Sequence, residues 1–185
     1  NLIKENTVIY DLSGKIIAPG FIDMHVHLRE PGYEYKETIE TGSLAARRGG
    51  FTSICCMPNT NPVIDNEDTI RFIQHKASNL LNDVFVIAAV TKSNEGKELD
   101  PLLELRDSGA IAFSDDAMPI SSAEIQRRVM EYLKMFDGLF IQHCEDQNLT
   151  KGGVMNESLV STSLGFSPMP PIAEEIFVIR GIILS

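Results

Sequence analysis

Apolar positions fall into short runs that alternate with stretches of helical spacing, and the alternation repeats along the chain. Val8-Ile9-Tyr10 and Lys15-Ile16-Ile17 flank Asp11-Leu12-Ser13-Gly14, which predicts a β-hairpin. After Ala18-Pro19-Gly20 an apolar strand runs into His25-Val26-His27. Residues 34–48 carry helical spacing, with Ile39 and Leu44 inside, and Gly49-Gly50 stops them. A second strand is expected over 51–57, with Pro58–Pro62 as its loop and a helix over 67–79 capped by Asn66. The third strand, 84–90, is apolar throughout and precedes a helix over 99–108. The fourth is 110–113. Ser121-Ser122-Ala123-Glu124 reads as a capping box opening a helix over 122–136. The fifth is 139–143. A long loop containing Gly152-Gly153, Pro168, Pro170 and Pro171 leads to a last helix from about Ala173.

Five strands at roughly 25–32-residue spacing, each followed by a helix, predict parallel strands buried on both faces. An open doubly wound sheet and a (β/α)8 TIM-type barrel both fit. No G-x-G-x-x-G or P-loop follows any strand, so the barrel is preferred. Residues 1–18 then form the edge of a small β-domain, and residues 19–185 the N-terminal five βα units of the barrel. The chain opens at Asn1 in mid-pattern and stops inside a helical stretch, which reads as a piece of a longer polypeptide.

Composition narrows the function. A formal charge of −10 disfavours nucleic acid as a main partner. No apolar run is long enough to span a bilayer, and no basic-then-apolar leader is visible. Cys55, Cys56 and Cys144, without C-x-x-C spacing, read as free thiols, so a cytoplasmic location is expected.

In barrels and doubly wound sheets alike the functional end is at the C-terminal tips of the strands. There the polar residues gather: His25 and His27 with Arg29 beyond, Asn59 after the second strand, Ser114-Asp115-Asp116 after the fourth, and His143 at the end of the fifth. Alternation places Asp23, His25 and His27 on one face and Met24 and Val26 on the packing face. Two imidazoles on one strand end suit a metal, and a third His with a carboxylate on the same rim strengthens that reading toward zinc. Asp23 either orients a ligand or is a hydrogen-bonded buried carboxylate. Asp115 and Asp116 cannot both point inward, and periodicity does not choose between them. His75 lies mid-helix and is expected to be solvated. Glu145 and Asp146 read as solvated loop charges. His143 and Cys144 are adjacent in a strand and so face opposite ways, which excludes a Cys–His dyad.

Pro19–Gly32 (PGFIDMHVHLREPG) closely resembles the signature of dihydroorotases of the long bacterial type, in the amidohydrolase superfamily. Met57–Pro62, Phe113–Asp116 and His143–Asp146 follow in the order of that family, and the resemblance runs over essentially the whole chain. It implies a (β/α)8 barrel beside a small β-domain, one or two Zn²⁺ per subunit, and reversible hydrolysis of dihydroorotate to N-carbamoyl-L-aspartate in pyrimidine biosynthesis. Position by position it makes His25, His27, Asp116 and His143 metal ligands, with Asp116 the bridging carboxylate. It makes His27, Arg29 and Asn59 the substrate-binding residues. An Arg fork suits a carboxylate-bearing substrate. Ala117 departs from the glycine usual after the Asp pair. Related hydantoinases bridge their metals with a carboxylated lysine after strand four, where this chain has Ser114-Asp115-Asp116. The general-base Asp and a further His ligand of the family fall beyond Ser185, so no catalytic residue is assigned here. Expected partners are the small-molecule substrate, a second copy in a homodimer, and aspartate carbamoyltransferase. The rival readings are an allantoinase- or hydantoinase-type cyclic amidohydrolase, and a silent dihydroorotase-like subunit that scaffolds aspartate carbamoyltransferase.

Overall fold

The computed structural model describes residues 7–185. Its centre is a four-stranded parallel sheet in the order β1-β2-β3-β4, formed by Phe21–Val26, Phe51–Cys56, Asp83–Ala88 and Ala110–Phe113. Helices α1 (Ile39–Arg48), α2 (Glu67–Ala77), α3 (Leu102–Asp107) and α4 (Ala123–Lys134) follow the four strands in turn. Strand order equal to chain order, with a helix in every crossover, is the geometry of a (β/α) barrel.

Local chemistry fixes the helix boundaries. Thr38 and Thr41 form a reciprocal capping box at α1, which ends at Gly49 with Gly50 in the left-handed region at φ 87°. Asn66 caps α2 by accepting from the Thr69 amide, as expected. At α4 the cap is Ser122, which accepts from the Ile125 amide. The expected Ser121–Glu124 box does not form, because Glu124 turns to Arg128, an i,i+4 partner at 2.6 Å.

Alternation along the strands divides the sheet into two packed faces. Ile54, Cys56, Val86, Ala88 and Phe113 pack with Ile70, Ile73, Leu102, Leu105, Val129 and Leu133 of the helices. Cys55, Met57, Ile87 and Ala112 form a smaller cluster, joined by Ile141. All three cysteines are free, and Cys55 and Cys56 are buried as expected for core positions.

Three further expectations fail. Residues 8–17 form a turn at Ser13-Gly14, with Lys15 N–H donating to Leu12 O at 2.9 Å, but no hairpin. Their apolar side chains are exposed, and two short strands with nothing to pack on are not stable alone. Residues 1–6 lie outside the described residues. The expected fifth strand is reduced to one parallel bridge, Phe113 with Phe140. Phe113 N–H donates to Leu139 O and Ile141 N–H to Phe113 O, both at 2.9 Å. The segment therefore lies beside β4 in the expected place. Among the described residues nothing pairs with its other edge, and the ladder stops there. Met24, expected to pack, is exposed because β1 is an edge strand whose outer side no described element covers.

The Gly/Pro-rich stretch after 146 is more ordered than its composition suggests. It holds short helices α5 (Gln147–Thr150) and α6 (Leu159–Leu164) and a two-residue parallel pair, β5 (Met155–Asn156) with β6 (Pro168–Met169). Helix α7 (Ile172–Leu184) then docks on α4 through Arg180. That guanidinium donates to Gln126 Oε1 at 2.6 Å and to the carbonyls of Ser121 and Ile120, and stacks over Phe177.

Candidate metal centre

The tips of β1 and β4 bring His25, His27 and Asp116 together, with their ligand atoms all within 4.8 Å of one another. This is the one such His/Cys/Asp/Glu group among the described residues. His25 Nε2 is 3.1 Å and His27 Nε2 4.0 Å from Asp116 Oδ1. The two imidazoles meet edge to face with centroids 5.2 Å apart.

Asn59, from the loop after β2, sits between His27 and Asp116. Its Nδ2 donates to Asp116 Oδ2, and its Oδ1 lies 3.0 Å from His27 Nδ1. An ionised carboxylate only accepts, so the amide must turn its NH₂ to Asp116 and its oxygen to His27. His27 then carries its proton on Nδ1 and presents the Nε2 lone pair to the cluster. That lone pair and Asp116 Oδ1 lie 4.0 Å apart, with His25 Nε2 at 3.1 Å from the same oxygen. A cation there satisfies both, and two imidazoles with a carboxylate are a donor set that zinc accepts.

Of the two carboxylates at the β4 tip, Asp116 is the one that faces the imidazoles. Asp115 is turned away from the cluster and accepts from Val90 N–H, Thr91 N–H and the Thr91 hydroxyl. Burial pushes its carboxyl upward, and those hydrogen bonds pull the other way. Asp23 is half-buried, and its Oδ1 accepts the backbone N–H of His25 at 3.1 Å, which braces the end of β1.

His143 lines the same cavity as His25 and Asp116, a space of about 530 Å³. It does not join the three-residue group. Its Nε2 instead lies 2.9 Å from Glu145 Oε2, and the Thr150 hydroxyl donates to the other oxygen of Glu145. Glu145 is thus a half-buried, hydrogen-bonded wall of the cavity and not a solvated loop charge. Its carboxyl is held below the usual range by the Thr150 hydroxyl first and by His143 second. Its i+2 spacing from His143 was the available signal. The Cys144 thiol is pushed up by burial, which further disfavours a thiolate nucleophile. His75 is exposed on α2, as expected.

Arg29 is half-buried in the left-handed region at φ 61°. Its guanidinium has no hydrogen-bond or ion-pair partner among the described residues and is not part of the cavity lining. The neighbouring Glu30 is buried and structural. It accepts the Ile39 amide at 2.9 Å and pairs with Lys76 of α2 at 3.0 Å, tying the motif loop to two helices. Sequence patterning gave no hint of that role.

Parallel strands with crossover helices and a His/His/Asp cluster at the strand tips define a (β/α)-barrel protein with a candidate metal centre on its C-terminal rim. Within that class the chain belongs to the dihydro-orotase-like family, whose model matches residues 14–185. It is 50% identical over 177 residues to a dihydroorotase of Pelotomaculum thermopropionicum, covering 96% of this chain and 42% of that protein. It is 49% identical over 184 residues to a dihydroorotase of Syntrophus aciditrophicus, covering 99% of this chain and 43% of that protein. The chain thus spans somewhat under half the length of these curated relatives. Among solved structures it resembles the L-hydantoinase (dihydropyrimidinase) of Arthrobacter aurescens, with a TM-score of 0.75 at 20% identity over 98% of this chain and 43% of that one. That likeness concerns the fold. No described helix is long and apolar enough to cross a membrane.

Proposed function

We propose that this chain supplies the metal-binding and substrate-anchoring part of a dihydroorotase, with residues 19–185 as its barrel portion. The reaction is reversible opening of the cyclic amide of dihydroorotate to N-carbamoyl-L-aspartate. The observation that carries the reading is the convergence of His25, His27 and Asp116 within 4.8 Å at the strand tips, in a chain about half identical to proteins named dihydroorotase. His25, His27 and Asp116 would hold a zinc ion, and His143 on the cavity wall would serve a second. When bound, zinc supplies Lewis acidity and lowers the pKa of water at the site to about 7.

The protein's own groups do the rest. Asn59 holds the His27 tautomer that keeps Nε2 available. With His27 beside them as a metal ligand, Arg29 and Asn59 bind the carboxylate of the substrate, which positions the ring without entering the bond changes. The unpaired guanidinium of Arg29 is free to form the bidentate fork that this requires. A carboxylate anchor of this kind favours dihydroorotate over hydantoin or allantoin, which carry no such group.

Metal analysis tests the ligand set. Zinc content should fall to background in His25→Ala and Asp116→Ala of the full-length protein, and unchanged zinc would refute it. Arg29→Ala should raise KM for dihydroorotate roughly tenfold or more with a smaller change in kcat, as expected for an anchor. Turnover of hydantoin or allantoin but not dihydroorotate would move the assignment to another cyclic amidohydrolase.

A further inference from the structure

We propose that Asp115 is the positioning residue that sets the candidate metal carboxylate, using the end of β3 as its anchor; this rests on the reading of Asp116 as a ligand. Asp115 is 3% exposed and takes every one of its side-chain hydrogen bonds from the segment after β3. Val90 N–H and Thr91 N–H reach Oδ1 at 2.8 and 3.0 Å, and the Thr91 hydroxyl reaches Oδ2. These three bonds clamp the tip of β4 to the tip of β3 just past the last ladder contact, Ser114 N–H to Ala88 O at 2.9 Å.

The residue so fixed is followed by an unusual one. Asp116 has φ 50°, a left-handed conformation that non-glycine residues adopt infrequently. Such a conformation persists where the surroundings over-determine it. Two fasteners on its N-terminal side do so here: Asp115, and the Ser114 hydroxyl, which accepts the Asp116 amide at 2.9 Å. With its backbone held, the Asp116 side chain reaches His25 and Asn59. Asp115 touches neither imidazole, so its influence on the cluster runs through backbone geometry alone. The Thr91 hydroxyl is in turn oriented by the Gly96 amide, which donates to it at 2.8 Å.

The test is a Zn²⁺ competition titration on metal-stripped, full-length protein, with the visible spectrum of the Co²⁺ form as a second readout. Asp116→Ala, the control for the ligand reading, should lose the metal. Asp115→Ala should weaken zinc binding ~10–100-fold, the usual effect of losing a group that orients a ligand, and should alter the Co²⁺ spectrum. Asp115→Asn should recover most of the affinity, because its Oδ1 accepts the same two amides and its NH₂ can donate to the Thr91 hydroxyl. If Asp116→Ala loses the metal while Asp115→Ala keeps wild-type affinity and spectrum, the positioning role is wrong and the ligand reading stands. If Asp116→Ala keeps its zinc, the ligand reading falls and the positioning role with it. An Asp115→Asn protein that folds but binds as weakly as Asp115→Ala would also overturn the role, since charge and not geometry would be at work. Should Asp115→Ala fail to fold, Thr91→Val removes one of the three bonds. A few-fold loss of zinc affinity then supports the role, and unchanged affinity overturns it.

Discussion

His25 and Asp116 approach to 3.1 Å, yet their side chains are 53% and 5% exposed. The histidine stands on an edge strand whose outer face is open, and Asn59 and Asp23 are the groups that brace this side. The carboxylate follows a mostly buried strand, with its backbone fastened through its own amide and through the residue before it. A metal site needs ligands held in place but able to admit the ion. Here one side is fixed by the sheet and the other is left accessible.

That contrast can be broken by substitutions on each side. The largest effect should come from the buried strand. Phe113→Ala removes a side chain packed against Phe136 and the helix layer, and should cost about 3–5 kcal/mol in urea unfolding. Ile22→Ala, on the open edge at 64% exposure, should cost less than about 0.5 kcal/mol in the 185-residue chain. A larger cost there would show that another surface covers β1.

Next comes Asp100, in the loop after β3, where Oδ2 is buried without a hydrogen-bond partner. Burial first, then the nearby charges of Asp65 and Asp115, push its carboxyl from the usual 3.8 up to about 7. A carboxyl raised on folding favours the protonated form. The fold is therefore unpenalised below the unfolded value and loses stability as pH rises from about 4 through 7. Asp100→Asn should add roughly 1–4 kcal/mol at pH 8 and little at pH 4. Equal effects at both pH values would mean that the carboxyl is not shifted. A smaller change than at Phe113 is expected for Asn66→Ala, which deletes the cap of α2 and should cost about 1 kcal/mol by thermal melting.

The sequence made the repeating strand–helix order legible because parallel buried strands are written as apolar runs. It also made His25, His27 and the Asp115-Asp116 pair legible as neighbours, because the tips of parallel strands all lie at one end, while alternation left the choice between the two carboxylates open. What was not legible depended on partners distant in the chain. The hairpin at 8–17 has the right local residues but nothing to rest on. The fifth strand has an apolar run but a partner on one side only. Glu145 looked like an ordinary acidic residue and Asp115 like a candidate for the cluster, since nothing in their local pattern announces Thr150 or Thr91 as a donor. Glu30 lies inside the most recognisable motif, yet it braces two helices and does not enter the cavity.

The cavity beside the cluster has walls of two origins. His25, Met57 and Asp116 come from the ends of the sheet, whereas Thr150, Asn156 and Met169 come from the loop of short helices and two-residue strands before α7. The sheet contribution is locked by long-range pairing and cannot shift without disturbing the core. The loop contribution hangs on short, local pairings and can be rewritten by substitution or insertion without touching the core. A lineage built on this plan can therefore change what shape of molecule enters while inheriting the same His/His/Asp cluster, so the two walls are free to evolve at different speeds.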